Sequence, residues 1–322
     1  MVVAMEQSGE RLDEQVDPAP AAEADRVVDV SVILPVYNEK GHLHAEIERI
    51  REALDRSRHR YEIIVVDDGS NDGSGEALKE IEGIRLLQFA TNRGSGSARK
   101  YGTRAARGRV VVWTDVDMTY PNDRIPELVE ELEGHDQVVG ARTSEQGTAK
   151  LARVPAKFLI RKLASYLTET DIPDLNSGFR AFRRDVALQY LHLLPVGFSC
   201  VTTITMTFLA NGYSVHYVPI DYAERAGTSK FHWWTDTRRY LLQVVRMVLS
   251  YNPLRVFLPL ATVLLVVGLA KLGYDLVDKD LRPAANTLLV LFASFQLFVV
   301  GLLADLIVRI NRRPDEAPPA SW

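Results

Sequence analysis

From Pro283 to Ala304 the chain runs through 22 consecutive residues without a charge, most of them Leu, Val, Phe or Ala. A helix that crosses the hydrocarbon core of a bilayer needs about 20 residues, so this stretch suffices by itself. The preceding run, Val256 to Ala270, is also uncharged. Extended to Leu254–Tyr274 it reaches the same length, provided Arg255 and Lys271 keep their charges at the interfaces and lay their stems along apolar surface. The polar connector DLVDKDLRP between the two runs predicts a hairpin. Arg238, Arg239, Arg246 and Arg255 precede the hairpin, and Arg309, Arg312 and Arg313 follow it, against Lys279 and Arg282 in the connector. That bias predicts a multi-pass protein of the cell membrane with its bulk and both termini in the cytoplasm. Ala and Gly on the hairpin faces would suit packing against further copies, which leaves a homo-oligomer open.

Just upstream, WWTDTRRYLLQVVRMVLSYNP places Trp234, Leu241, Val244, Val248 and Tyr251 on one helical face, with Arg239, Gln243 and Arg246 largely opposite. Aromatic and basic residues in this pattern predict a helix over 233–252 lying in the membrane interface, with Trp233 and Trp234 as its anchor. A net charge of -4 gives no sign of nucleic-acid binding, which calls for a basic domain. The single cysteine, Cys200, excludes an internal disulfide framework and fits a reducing compartment. No seven-residue apolar core follows the first residues, so no secretory signal is expected. Residues 1–28 are rich in Ala, Glu, Asp and Pro and lack aromatics, the composition of a disordered acidic tail.

Between tail and membrane segments, short β-rich runs alternate with helical ones. DVSVILPVYN, YEIIVVDDGS, IRLLQFA, RVVVWTDVD and QVVGAR read as strands. GHLHAEIERIREALDRS is helical, with Leu43, Ile47, Ile50 and Leu54 at core spacing, and further helices are expected at SGEALKEIEG, SARKYGTRAARG and about Pro126 to Leu132. Continuous apolar strands separated by helices predict an α/β fold whose mostly parallel sheet is covered on both faces. Ligands of such sheets bind beyond the C-terminal ends of the strands.

Three strands carry polar groups there: Asn38 and Glu39, Asp67 and Asp68, and Asp115 and Asp117. If the strand ran on through VVVWTDVD, Asp115 and Asp117 would point to the same side, and their repulsion would call for a cation between them. Together these groups describe an acidic crevice suited to a hard cation with oxygen ligands, and a diphosphate is the natural reason to hold one there. TNRGSGSARKYG fits the same crevice, with Gly94 and Gly96 keeping the backbone bare and Ser97 placed to cap the next helix; a plain capping loop fits equally. It is neither a Walker loop nor a complete dinucleotide fingerprint. His42, His44 and His59 have no metal-site spacing and read as surface residues.

PVYNE (35–39), VVDDGS (65–70), NRGSGSAR (92–99), TDVDMTYP (114–121) and DLNSGFRAFRRD (174–185) occur in that order. With these motifs the chain resembles the inverting glycosyltransferases of family 2, with the GT-A fold. It is most similar to polyprenyl-phosphate glycosyltransferases of the dolichyl-phosphate mannose synthase type that end in a transmembrane pair. The resemblance implies a GT-A catalytic domain over 29–232, followed by the interfacial helix, a hairpin over 253–310 and a cytoplasmic tail over 311–322. It implies that Pro35, Tyr37, Glu39 and Asp68 surround the nucleoside, with Asp67 supporting the turn and Asp115 also on the donor. Asp115 and Asp117 would be the Asp-x-Asp pair that holds Mg²⁺ or Mn²⁺ on the diphosphate, and Thr119 stands where some relatives place a further ligand. Arg142, Arg161, Ser165, Arg225 and Lys230 match positions facing the acceptor phosphate. Thr203 departs from a Glu found in many relatives, and the Gln-x-x-Arg-Trp motif of processive synthases is absent.

The chemistry suits such residues. A lipid phosphate is already anionic near neutral pH and needs positioning among cations, not a general base. Arg142 and Arg225 would hold it, and the paired acids would serve the leaving diphosphate through the metal. The implied partners are therefore a nucleotide sugar (GDP-mannose, a UDP-hexose or a UDP-N-acetylhexosamine), polyprenyl phosphate and the bilayer. A different lipid or glycan acceptor, or a non-catalytic nucleotide-sugar-binding role, are the alternatives.

Overall fold

The β-branched runs form strands largely where expected: β1 (Val30–Val36), β2 (Tyr61–Asp67), β3 (Arg85–Gln88), β4 (Val110–Trp113) and β5 (Gln137–Arg142). Two more, β6 (Arg180–Arg183) and β7 (Val215–Ile220), complete one sheet of order β3-β2-β1-β4-β6-β5-β7. In this computed structural model, residues 28–143, 165, 170–197, 199–223, 249, 252–278 and 282–311 are described. Neighbouring strands run parallel except at β6, which is antiparallel to both β4 and β5. The sheet is thus mostly parallel, the GT-A type of arrangement.

The central strand shows why its apolar run is continuous. Val30, Val32, Leu34 and Val36 join the core cluster that holds Leu43, Ile47, Ile50 and Leu54 of α1 (Leu43–Asp55). Ile33 points the other way, since alternate residues face opposite sides of a strand. There it meets α3 (Ser95–Ala105), where a Cβ on Gly102 would lie 2.4 Å from Ile33 Cγ2. Gly102 lets α3 settle close on β1, and helices cover both faces. The shorter α2 (Ser74–Lys79) and α4 (Ile125–Glu130) follow β2 and β4, α5 (Arg184–Tyr190) follows β6, and α6 (Cys200–Ala210) precedes β7.

One expectation fails here. β4 stops at Trp113 and does not continue through Asp117. β6 begins at Arg180, opposite Trp113, so that ladder ends there, and β1, which itself runs on to Val36, pairs with β4 only through Ile33. Asp115 and Asp117 therefore lie in a turn, where Met118 takes a left-handed φ of 60°, and the strand rule for residues two apart does not govern them.

The chain divides into two units, one holding the sheet and the other the C-terminal helices. In the second unit, α7 (Leu254–Asp278) and α8 (Ala285–Asn311) form the expected hairpin. The contacts run in opposite order along the two helices. Asp275 accepts hydrogen bonds from Ala284 N (3.0 Å) and Thr287 Oγ1. A Cβ on Gly268 would meet Leu291, Ser294 Oγ donates to Ala261 O (2.8 Å), and a Cβ on Gly301 would meet Phe257. Each helix carries a 24-residue apolar span, about 36 Å at 1.5 Å per residue, enough to cross a bilayer. Most of their large side chains, such as Val263, Phe295 and Ile307, face outward. Of the acidic tail over 1–28 all but residue 28, and of the interfacial helix over 233–252 all but residues 249 and 252, lie outside the described residues, Trp233 and Trp234 among them.

Candidate active site

Because β2, β1 and β4 are parallel neighbours, their C-terminal ends open on one edge of the sheet. The register sets Val36 beside Asp67 and Ile33 beside Trp113. The three polar strand ends read from the sequence are thus brought together by the topology.

The loops after β1 and β2 are laced to each other. Asn38 N donates to Ser70 Oγ (3.0 Å), Asn71 N to Asn38 Oδ1 (2.9 Å), Glu39 N to Ser74 Oγ (3.1 Å) and Lys40 N to Asp72 Oδ2 (3.3 Å). Asn38 affords this by taking a φ of 57°, a left-handed conformation that Asn tolerates. Pro35, Tyr37 and Glu39 are half-buried along this edge. Asp67 is buried and supports the turn: its oxygens accept Ser70 N (3.0 Å) and Gln88 Nε2 (3.2 Å). Asp68 is buried too, and its carboxylate takes Arg93 N (2.6 Å) and Gly94 N (2.8 Å). Burial raises its pKa, against the pull of those amides. Asp68 thus ties the glycine loop to the end of β2.

The glycine loop itself is bare for a reason the sequence did not disclose. A Cβ on Gly94 would lie 2.4 Å from Val196 O, and one on Gly96 2.3 Å from Pro195 O. The first amides of α3 are taken by the same segment, Gly96 N and Ser97 N both donating to Val196 O (2.8 and 3.2 Å). Ser97 is not the cap: Gly94 holds that position, and the Ser97 hydroxyl donates back to Arg93 O (2.9 Å). These glycines admit a neighbouring strand of backbone.

Asp115 and Asp117 are anchored separately. Asp117 is buried, and its Oδ1 accepts the Thr119 hydroxyl (2.5 Å) and amide (3.3 Å). Thr119 therefore orients Asp117. Half-buried Asp115 accepts Arg99 Nη2 at 2.5 Å, so the protein itself supplies a cation to this acid. Behind the turn, Asn122 Nδ2 bridges Asp115 O (3.1 Å) and Glu46 Oε1 (2.6 Å), and Asn122 Oδ1 accepts the Thr114 hydroxyl (2.5 Å). Burial raises the pKa of Glu46, with Asn122 and Arg49 opposing. Tyr120 closes one side. Its hydroxyl accepts Gly178 N (2.7 Å), and burial together with the charge of Asp115 pushes its pKa up.

Arg142 leaves the end of β5 and reaches Asp174 with two hydrogen bonds, from Nε (2.6 Å) and Nη2 (2.9 Å). Its guanidinium also lies over the Tyr222 ring, 5.2 Å from the centroid, and Tyr222 packs edge-on against Tyr120. Burial opposes the charge of Asp174, but Arg142 outweighs it and holds the carboxyl below its usual range. Arg142, expected to face the acceptor phosphate, thus has a carboxylate partner within the protein, Asp174. Ser165 Oγ accepts Ile172 N (3.2 Å). Thr203 is buried, its hydroxyl turned back to Ser199 O (2.9 Å). Arg161, Arg225 and Lys230 lie outside the described residues. His44 is exposed, and His42 and His59 are half-buried.

Sequence reasoning passed over Arg99, Asp174, Tyr120 and the Glu46–Asn122 pair. Arg99, Tyr120 and Asp174 sat inside quoted motifs, but nothing in their spacing named a partner.

Among the described residues no three His, Cys, Asp or Glu side chains surround a common point. An all-protein metal cage is thus not built from them. A Mg²⁺-like ion needs only one or two carboxylates when phosphate oxygens complete its shell, and the oriented oxygens of Asp115 and Asp117 fit that pattern.

Comparison with known proteins adds three findings. Residues 31–191 match the family described as glycosyl transferase family 2, and residues 252–310 match the GtrB C-terminal hairpin. An undecaprenyl-phosphate 4-deoxy-4-formamido-L-arabinose transferase of Aeromonas hydrophila subsp. hydrophila is 34% identical over 63% of this chain, a match spanning 62% of that relative's length. The protein of the same name from Pectobacterium atrosepticum is 32% identical, covering 89% of this chain and 90% of its own. Glucosyl-3-phosphoglycerate synthase from Mycobacterium tuberculosis, solved with Mn²⁺, uridine diphosphate and phosphoglyceric acid, shares the fold. Its TM-score is 0.56 at 21% identity, over 69% of this chain and 78% of that one.

Proposed function

The chain belongs to glycosyltransferase family 2, and from that premise we propose that it transfers a sugar from a nucleotide sugar to polyprenyl phosphate, with inversion. The observation that carries the reading is the union, on one chain, of a family 2 domain with the GtrB-type hairpin. The names of the two relatives point to undecaprenyl phosphate as acceptor. The Mn²⁺ and uridine diphosphate of the mycobacterial neighbour favour a UDP-sugar over GDP-mannose and a divalent ion, Mg²⁺ or Mn²⁺, as cofactor. The hairpin and its flanking arginines support attachment to the cell membrane with the catalytic domain and both termini cytoplasmic.

In this reading Asp115 and Asp117 hold the ion, which when bound neutralises charge on the departing diphosphate. Pro35, Tyr37 and Glu39 line the nucleoside, while Asp67 and Asp68 fix the loops around it. Arg142, kept in place by Asp174, faces the acceptor phosphate together with Arg161, Ser165, Arg225 and Lys230. The phosphate arrives as an anion, so these groups orient it and no side chain has to remove a proton. Attack from behind the leaving group gives inversion.

The full-length chain, reconstituted with polyprenyl phosphate and radiolabelled UDP-sugars or GDP-mannose, is expected to yield a product that partitions into organic solvent. Asp117→Asn should lower its formation by roughly 10²–10³-fold, the scale lost when one electrostatic stabiliser of developing charge is removed. Label appearing only in water-soluble product, or full activity in Asp117→Asn, would overturn the proposal.

A further inference from the structure

Among the described residues, two arginines of the sheet domain are almost wholly buried, Arg180 (0% exposed) and Arg99 (2%). They end differently. Arg180 donates to main-chain carbonyls, from Nε to Ser177 O (3.1 Å) and from Nη1 to Val201 O (2.6 Å), and burial pushes its pKa down to about 10. Arg99 instead ends on the carboxylate of Asp115, whose own side chain is 32% exposed toward the site. Burial lowers the pKa of Arg99, but the charge of Asp115, with smaller contributions from Cys200 and Tyr120, raises it above the ordinary value.

The scaffold that delivers Arg99 is built for reach without access. Gly102 lets α3 press against Ile33. One turn of helix separates Arg99 from Thr103, so both lie on the same face of α3. Thr103 Oγ1 accepts Trp113 Nε1 (2.9 Å), which pins that face to the end of β4, and the Arg99 guanidinium passes over the Trp113 ring at 5.8 Å. Gly178 packs beside the pair: a Cβ there would lie 3.0 Å from Asp115 Oδ2 and 3.3 Å from Arg99 Nη2, so a side chain would crowd the carboxylate where it meets the guanidinium.

We propose that Arg99 is a positioning residue for the transfer reaction, a buried cation that fixes Asp115 so that the donor's metal meets a carboxylate already oriented. The inference rests on the donor-side role proposed for Asp115. Arg99 touches neither donor nor acceptor, being shut behind Asp115. Its effect is on metal affinity and not on acceptor binding. A rotating carboxylate would have to lose conformational freedom on each binding event, and the buried guanidinium removes that freedom in advance. A lysine keeps the charge but lacks the planar fork and the reach of arginine.

The test uses the full-length chain in lipid nanodiscs, with Mn²⁺ binding read by electron paramagnetic resonance in the presence of UDP or of GDP. Removing a group that orients a metal-binding carboxylate costs about 10–100-fold in metal affinity, which is the loss expected for Arg99→Gln. Arg99→Lys should fall between it and the wild type, with the KM for polyprenyl phosphate unchanged in both. Mn²⁺ affinity within about twofold of wild type in a folded Arg99→Gln would overturn the inference. Should that variant fail to fold, Arg99→Lys decides alone: wild-type affinity overturns the inference, and weakened affinity with unchanged acceptor KM upholds it. A raised acceptor KM in either variant also overturns it. Because the readout is metal binding, a wild-type chain that binds Mn²⁺ and nucleotide yet forms no lipid product would sink the proposed reaction and leave Arg99 testable.

Discussion

The loops at the open edge of the sheet and the C-terminal hairpin satisfy their polar groups by opposite means. In the hairpin, the helices bond their own backbones, and side chains add only a few links, such as Ser294 to Ala261 O and Asp275 to Thr287. At the sheet edge, backbone amides with no ladder partner are met by side chains: Asp68 takes two, Asp67 and Ser70 one each. Apolar helices can be built by length and composition. A turn that presents charges has to be built atom by atom, and a single loss there spreads.

The difference predicts a ranking of costs. Asp174→Asn should have the largest effect, because it breaks the ion pair between two largely buried side chains, Arg142 (13% exposed) and Asp174 (10%). Breaking such a pair costs about 3–5 kcal/mol. The folded pKa of Asp174 is lowered, so the wild-type advantage is present above the unfolded pKa and disappears as pH falls through the folded one. Urea unfolding should therefore show the gap between the two proteins at pH 7 narrowing below about pH 4. A gap that stays constant would mean the ion pair is not its source.

Gly96→Ala comes next. The added methyl would sit 2.3 Å from Pro195 O and 2.7 Å from Gly197 O, both main-chain atoms that cannot rotate away. Overpacking of this kind costs about 1–3 kcal/mol. Hydrogen exchange should localise the loss to the amides of Gly96 and Ser97, which bond Val196 O; unaltered protection there would show that the loop can shift as freely as a surface turn.

Ser294→Ala in the hairpin should cost least, about 0.6 kcal/mol, the average for polar contacts between helices in a membrane. Steric trapping or unfolding in mixed micelles would measure it. A loss as large as that of Asp174→Asn would erase the contrast between the two regions.

Much of this was visible in the residues. The hairpin was legible because length and the absence of charge are one-dimensional properties, and the α1 stripe of Leu43, Ile47, Ile50 and Leu54 because helical periodicity is local. The three polar strand ends were legible as a set, since parallel neighbours must open on the same edge. Less visible was where β4 ends: VVVWTDVD reads as one run, but the antiparallel ladder stops opposite Arg180, the first residue of β6. β6 went unread as a strand because four residues, RAFR, carry no alternation long enough to recognise.

What the amino-acid order settled by itself was therefore the kind of chain this is: an α/β domain with acidic strand ends, joined to two apolar helices. Tertiary structure alone decided the pairings: Arg99 with Asp115 across 16 positions, Arg142 with Asp174 across 32, and Gly94 and Gly96 against the passing segment at 195–197. Periodicity reports which way a side chain points from its own element, whereas a charge finds its partner only after sheet order and helix packing have brought distant segments within a few ångströms.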